Sequence, residues 1–156
     1  MCNIFNNLDT LLKMGIHLRP SMTQDKDFVL NLSKETMKGF VQDTWEDTCA
    51  QEEYFDKLAF HEENTYIIYD EKQLLGRISL LVRDEDIFID GIHLAEQGRG
   101  KGIGTYLLST VITEAKKENK SISLKVLKNN PANKLYSKLG FKIEEETLER
   151  YTMKCA

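Results

Sequence analysis

Ile87-Phe88-Ile89-Asp90-Gly91-Ile92-His93-Leu94 runs directly into Ala95-Glu96-Gln97-Gly98-Arg99-Gly100-Lys101-Gly102-Ile103-Gly104, and the reading of this stretch decides the fold. The first half is rich in β-branched and aromatic residues and reads as a strand. Ile87 and Ile89 share one parity, Ile92 and Leu94 the other, so a strict two-residue period cannot bury all four on one face. One extra residue near Asp90 and Gly91 restores the pattern, and glycine tolerates such an insertion. A β-bulge is therefore predicted there, leaving nearby backbone groups unpaired. The second half is a glycine-rich turn that opens a helix, because Ile103, Leu107 and Val111 recur every fourth residue and predict a helix from about 102 to 118.

Such a turn lets backbone N–H groups converge on a phosphate, and the positive end of the helix dipole favours the negative charge by ~0.3 to 1 kcal/mol. Arg99 and Lys101 add formal charge. Two nucleotide loops fail on spacing. A Walker loop needs lysine before Ser or Thr, whereas Gly104 precedes Thr105; GxGxxG fails because Ile103 and Thr105 stand where the third glycine belongs.

Working outward, Ser121 to Leu127 reads as a strand, Pro131 to Leu139 as a helix with proline in its first turn, and Phe141 onward as one or two closing strands. Upstream, Thr65 to Tyr69 and Leu74 to Val82 read as strands. Ile16 to Pro20 is a short first strand. Asp25 to Val41 reads as an amphipathic helix capped by Thr23, and a second helix is suggested by Tyr54, Phe55, Leu58 and Ala59, with Trp45 between the two. Residues 1–13 are polar and Asn-rich and read as a leader, with a single domain over 14–156.

A chain of 156 residues suits one domain, and 41% hydrophobic with 29% charged residues excludes a disordered or membrane class. No secretory or spanning segment is apparent, so a cytoplasmic location and no membrane partner are expected. Cys2, Cys49 and Cys155 form no CxxC pair, which argues against a disulfide framework and against a metal site. The net charge of −4 lacks the footprint of a nucleic-acid binder and would tolerate a cationic substrate.

The run Arg99 to Gly104 resembles the R/Q-x-x-G-x-G/A pyrophosphate loop of the GNAT acetyltransferase superfamily. Asn129-Asn130-Pro131-Ala132-Asn133-Lys134-Leu135-Tyr136-Ser137-Lys138-Leu139-Gly140-Phe141 resembles its second signature, N-x-x-A-x-x-L-Y-x-x-x-G-F. Glu96 departs from the proline that many members carry before the loop. The resemblance implies an α/β (α+β) fold: a mixed, mostly antiparallel sheet of six or seven strands, flanked by about four helices, with the fourth and fifth strands splayed. It further implies that acetyl-CoA lies in the opening. Residues Arg99, Gly100, Lys101, Gly102, Ile103, Gly104 and Thr105 would hold its diphosphate. Ile92, His93 and Leu94 would pair with its pantetheine arm, Asn129 and Asn133 would contact that arm, and Tyr136 would lie near its sulfur. A homodimer is compatible with the resemblance.

Acyl transfer to an amine needs a neutral nucleophile, an oxyanion site and a proton for the thiolate. An alkylammonium is only about one part in 10³ neutral at pH 7, equivalent to roughly 4 kcal/mol. Asp90, and less centrally Asp86, are the candidate bases or substrate-orienting acids; His93 is a further titratable group. Tyr136 is the candidate general acid, and core packing is its alternative. The resemblance puts Trp45 and Glu46 where the acceptor pocket is built, to stack on and pair with a cation, and an aromatic that anchors the helical hairpin is the alternative. Cys49 has no neighbouring base, so a covalent acyl-enzyme is not expected. Three readings stay open: an acetyltransferase for a small amine, one for a protein lysine or N-terminal amine, and a coenzyme A-binding sensor without catalysis.

Overall fold

The computed structural model describes residues 4, 5 and 8–155. Its elements are α1 (Asp9–Lys13), β1 (His17–Pro20), α2 (Lys26–Thr44), α3 (Thr48–Asp56), β2 (Thr65–Tyr69), β3 (Leu74–Val82), β4 (Asp86–Leu94), α4 (Ile103–Lys117), β5 (Ser121–Leu127), α5 (Ala132–Lys138), β6 (Lys142–Glu146) and β7 (Arg150–Cys155). The seven strands form one sheet in the order β1-β2-β3-β4-β5-β7-β6. Every neighbouring pair is antiparallel except β4 and β5. Pro20, which lacks an N–H, sits on the edge strand where no ladder bond is lost.

The expected bulge is present. Ser79 pairs with Gly91 and Leu80 with Ile89, so Asp90 is the residue without a partner on β3. The extra residue returns Ile92 and Leu94 to the face of Ile87 and Ile89, where all four meet the main core. That core also takes Ile103, Leu107, Leu108 and Val111 from α4, which packs on β4 and β5. On β5 the faces alternate: Ile122, Leu124 and Val126 join the main core, whereas Leu127 joins Met37 and Val41 of α2 in a second cluster. The sheet therefore lies between α4 on one face and α2 with α3 on the other.

Three expectations shift. Leader residues Ile4, Leu8 and Leu11 are buried in the main core, and α1 hands its chain into β1 through the Ile16 N–H to Leu11 carbonyl bond of 2.9 Å. Their spacing carries the packing that a count of polar residues hid. Second, Thr23 does not cap α2. Thr23–Asp25 forms a 3₁₀ turn instead, closed by the Asp25 carboxylate, which accepts from the Met22 N–H and from both Arg19 Nη atoms at 2.8 to 3.0 Å. The Arg19 hydrogen bond holds that carboxyl below its usual range. Third, α3 begins earlier than its apolar pattern suggests, because the Asp47 side chain accepts from the Cys49 N–H at 2.9 Å and starts the helix there.

Candidate active site

β4 and β5 are paired only from Asp86/Ser121 to Ile89/Leu124; past the bulge they part. Gly91 to Leu94 keep β3 on one side and, among the described residues, have no strand on the other. The opening holds a cavity of about 230 Å³, walled by β4 from Ile89 to His93, by β5 from Leu124 to Leu127, and by Met37, Phe40 and Tyr136. Asp90 is exposed on this wall. Asp86 is elsewhere: it closes the β3–β4 turn in a two-point ion pair with Arg83 at 2.8 and 2.9 Å. Tyr136 is 8% exposed, its ring packs edge-on against Phe141 at 5.9 Å, and burial raises its pKa so that the phenol stays protonated at neutral pH.

At the edge of the opening, Gly100 and Gly102 take φ of +74° and +78°, the left-handed region that other residues rarely enter. The first amide to bond into α4 is that of Tyr106, which donates to the Gly102 carbonyl at 3.0 Å, and no side chain caps the helix start. The amides of Ile103, Gly104 and Thr105 are thus left for an anion. Arg99 and Lys101 are exposed beside them, and Arg99 Nε donates to the Leu94 carbonyl at 3.0 Å, tying the turn to the end of β4. An alanine Cβ at Gly104 would lie 3.9 Å from the side chains of Ile92 and Leu94, so the helix start stands directly over the strand beyond the bulge. A diphosphate at the turn and an extended arm along β4 both fit these unpaired groups.

The family model described as "Acetyltransferase (GNAT) family" matches residues 28–141. The chain belongs to this family. It is an acyltransferase, and acetyl-CoA is its co-substrate. Among solved structures, GNAT relatives share the fold at low identity. The PaiA N-acetyltransferase from Thermoplasma acidophilum, in complex with coenzyme A, superposes with TM-score 0.70 at 18% identity over 90% of this chain and 98% of its own. An Arabidopsis thaliana protein in complex with the bisubstrate analogue CoA-Ac-MVNAL gives TM-score 0.62 at 18% identity over 91% and 99%. A GNAT acetyltransferase from Listeria monocytogenes gives 0.61 at 12% over 89% and 93%. No curated protein matches significantly.

Within this GNAT site, both asparagines of the second signature bond main-chain carbonyls. Asn129 donates its side-chain amide to the Phe40 carbonyl at 3.0 Å, tying β5 to the end of α2, and Asn130 lines the cavity instead. Asn133 donates to the Leu127 and Lys128 carbonyls at 3.2 and 3.0 Å, while its buried Oδ1 has no partner.

His93 is not a base. Its Nδ1 stands 3.1 Å from both Ser33 Oγ and Arg77 Nη2. Because a guanidinium only donates, Nδ1 must accept. Burial, then the charge of Arg77, lowers the His93 pKa to about 3, so the ring is neutral at working pH. Arg77 itself is 6% exposed, and its guanidinium also donates to Ser79 Oγ at 2.6 Å and Ser33 Oγ at 3.1 Å. A Cβ on Gly91 would lie 2.5 to 2.7 Å from that guanidinium, so the bulge is glycine because Arg77 lies across it.

On the acceptor side, Glu46 is exposed and lines neither cavity, and the cation over Trp45 comes from the chain itself. Arg150 Cζ lies 5.6 Å from the Trp45 ring centroid and 5.7 Å from that of Tyr54. These residues, with Ala50, Glu53, Lys57 and Leu58, line a second cavity of about 330 Å³, which shares Tyr54, Leu58 and Arg150 with the first. Arg77 was visible in the sequence as a charge inside an apolar strand, Leu74 to Val82. Arg150, in the closing strand, carries no local signal.

Proposed function

We propose that this GNAT enzyme moves the acetyl group from acetyl-CoA to the primary amine of a small molecule, by direct transfer through a tetrahedral intermediate. The observation that carries this reading is the cavity of about 330 Å³ lined by Trp45, Tyr54 and Leu58, a volume at the lower end of small-ligand pockets. Asp90, at the bulge and on the wall of the adjoining cavity in the cleft, orients the ammonium and accepts its proton, directly or through water. An amide freed at the bulge faces the thioester oxygen. Tyr136, protonated and lining the cavity, gives its proton to the departing thiolate. The amides of Ile103, Gly104 and Thr105 hold the diphosphate, with Arg99 and Lys101 beside them. Cys49 and Cys155 are free thiols, in keeping with a cytoplasmic enzyme. No helix among the described residues is long and apolar enough to cross a membrane.

The test is thiol release from acetyl-CoA across a panel of small amines and peptides. A small amine should be the better acceptor, and Tyr136→Phe should lower kcat by about 10² to 10⁴ with less change in the KM for acetyl-CoA. Preference for peptides would overturn the acceptor assignment. Tight acetyl-CoA binding with no thiol released by any acceptor would make the protein a sensor.

A further inference from the structure

Among the described residues, Arg150 lies without an ion-pair partner in the region where the acceptor enters, and Arg77 has only the exposed Asp90 as a counter-charge. Arg150 lies over the rings of Trp45 and Tyr54, and among the described residues no carboxylate lies within ion-pair distance of it. It stands where the two cavities meet. Arg77 is more than nine-tenths buried, its partners Ser33, Ser79 and His93 are all neutral, and its Nε has no partner. Thr36 Oγ1, on the same cavity wall, is also buried and unpartnered. Burial raises the Tyr54 pKa, and the charges of Arg150 and Arg77 oppose that rise.

We propose that the acceptor carries a carboxylate as well as its amine, and that the guanidinium of Arg150 receives that carboxylate, with Arg77 adding positive charge to the same cavity. The proposal rests on the acetyltransferase reading above and names its substrate class. A ligand carboxylate supplies the anion that Arg150 lacks, and the desolvated charge of Arg77 on the same cavity adds to its attraction. Asp90, on the β4 wall of the same cavity, is the matching group for the ammonium. A zwitterion such as an amino acid therefore meets complementary charge at both ends, whereas a plain diamine meets two cations.

The experiment compares α- and ω-amino acids with their decarboxylated amines and their amides, by thiol release from acetyl-CoA. The best amino acid should exceed its carboxylate-free counterparts by about tenfold to a hundredfold in kcat/KM. In Arg150→Gln that ratio should collapse, chiefly through KM. Wild type using the decarboxylated amine as well as the acid would overturn the proposal. A second readout needs neither turnover nor a variant: Trp45 is the single tryptophan of the chain and lies against Arg150. Its fluorescence should change on titration with the amino acid and not with the amide; equal or absent responses refute the carboxylate site. If no amine releases thiol, the acetyltransferase reading fails, and the fluorescence result still judges the anion site.

Discussion

The two faces of β3 carry opposite chemistry. Ile78 and Leu80 point into the apolar core with α4, fully or nearly fully buried, while Arg77 and Ser79 point toward α2 into a polar network that includes Ser33, Thr65 and His93. The first face holds the sheet together by area alone. The second keeps a desolvated cation among neutral partners, where an apolar packing of the same volume would serve stability as well or better. The contrast teaches that the α2 face is organised around what enters the cleft, and the α4 face around folding.

That contrast can be broken at four points. Ile78→Ala, on the folding face, should cost about 2 to 5 kcal/mol in denaturant unfolding. Gly91→Ala forces a methyl against the Arg77 guanidinium and should cost about 1 to 3 kcal/mol, together with a loss of kcat/KM that Ile78→Ala at permissive temperature does not show. His93→Gln probes pH. A histidine held at about 3 in the fold binds its proton more readily when unfolded, so it makes stability fall as pH drops from about 6.5 toward 3. Removing it should flatten that acid-side slope by up to about 1.4 kcal/mol per pH unit, read from unfolding at a series of pH values. The smallest effect on stability is expected from Arg77→Met, within about 1 kcal/mol of wild type, with acceptor use impaired. Destabilisation as large as that of Ile78→Ala would show that the polar face is structural and would end the distinction.

Strand extents and the glycine turn were legible because period and backbone geometry are local. Thr65–Tyr69, Leu74–Val82 and Ser121–Leu127 coincide with their readings, and the parity break at Asp90 marked the bulge. Side-chain commitments were not legible, because the partner lies elsewhere in the chain. Asn129 is taken by Phe40, 89 residues away, and Arg150 fills the face of Trp45 that a ligand cation was expected to take. His93 looked like a near-neutral titrating group until Arg77 stood beside it. Likewise a net charge of −4 suggested a welcome for cations, yet Arg77 and Arg150 line the cavity together.

The parallel pairing of β4 with β5 spans four residue pairs and is, among the described residues, the one strand-to-strand tie between the β1–β4 half of the sheet and the β5–β7–β6 half. A molecule lodged in the V above that seam acts as a staple, so the donor should raise the melting temperature of both halves together. Amides on Asp90–Leu94 should slow their hydrogen exchange on loading, while those below the seam change little.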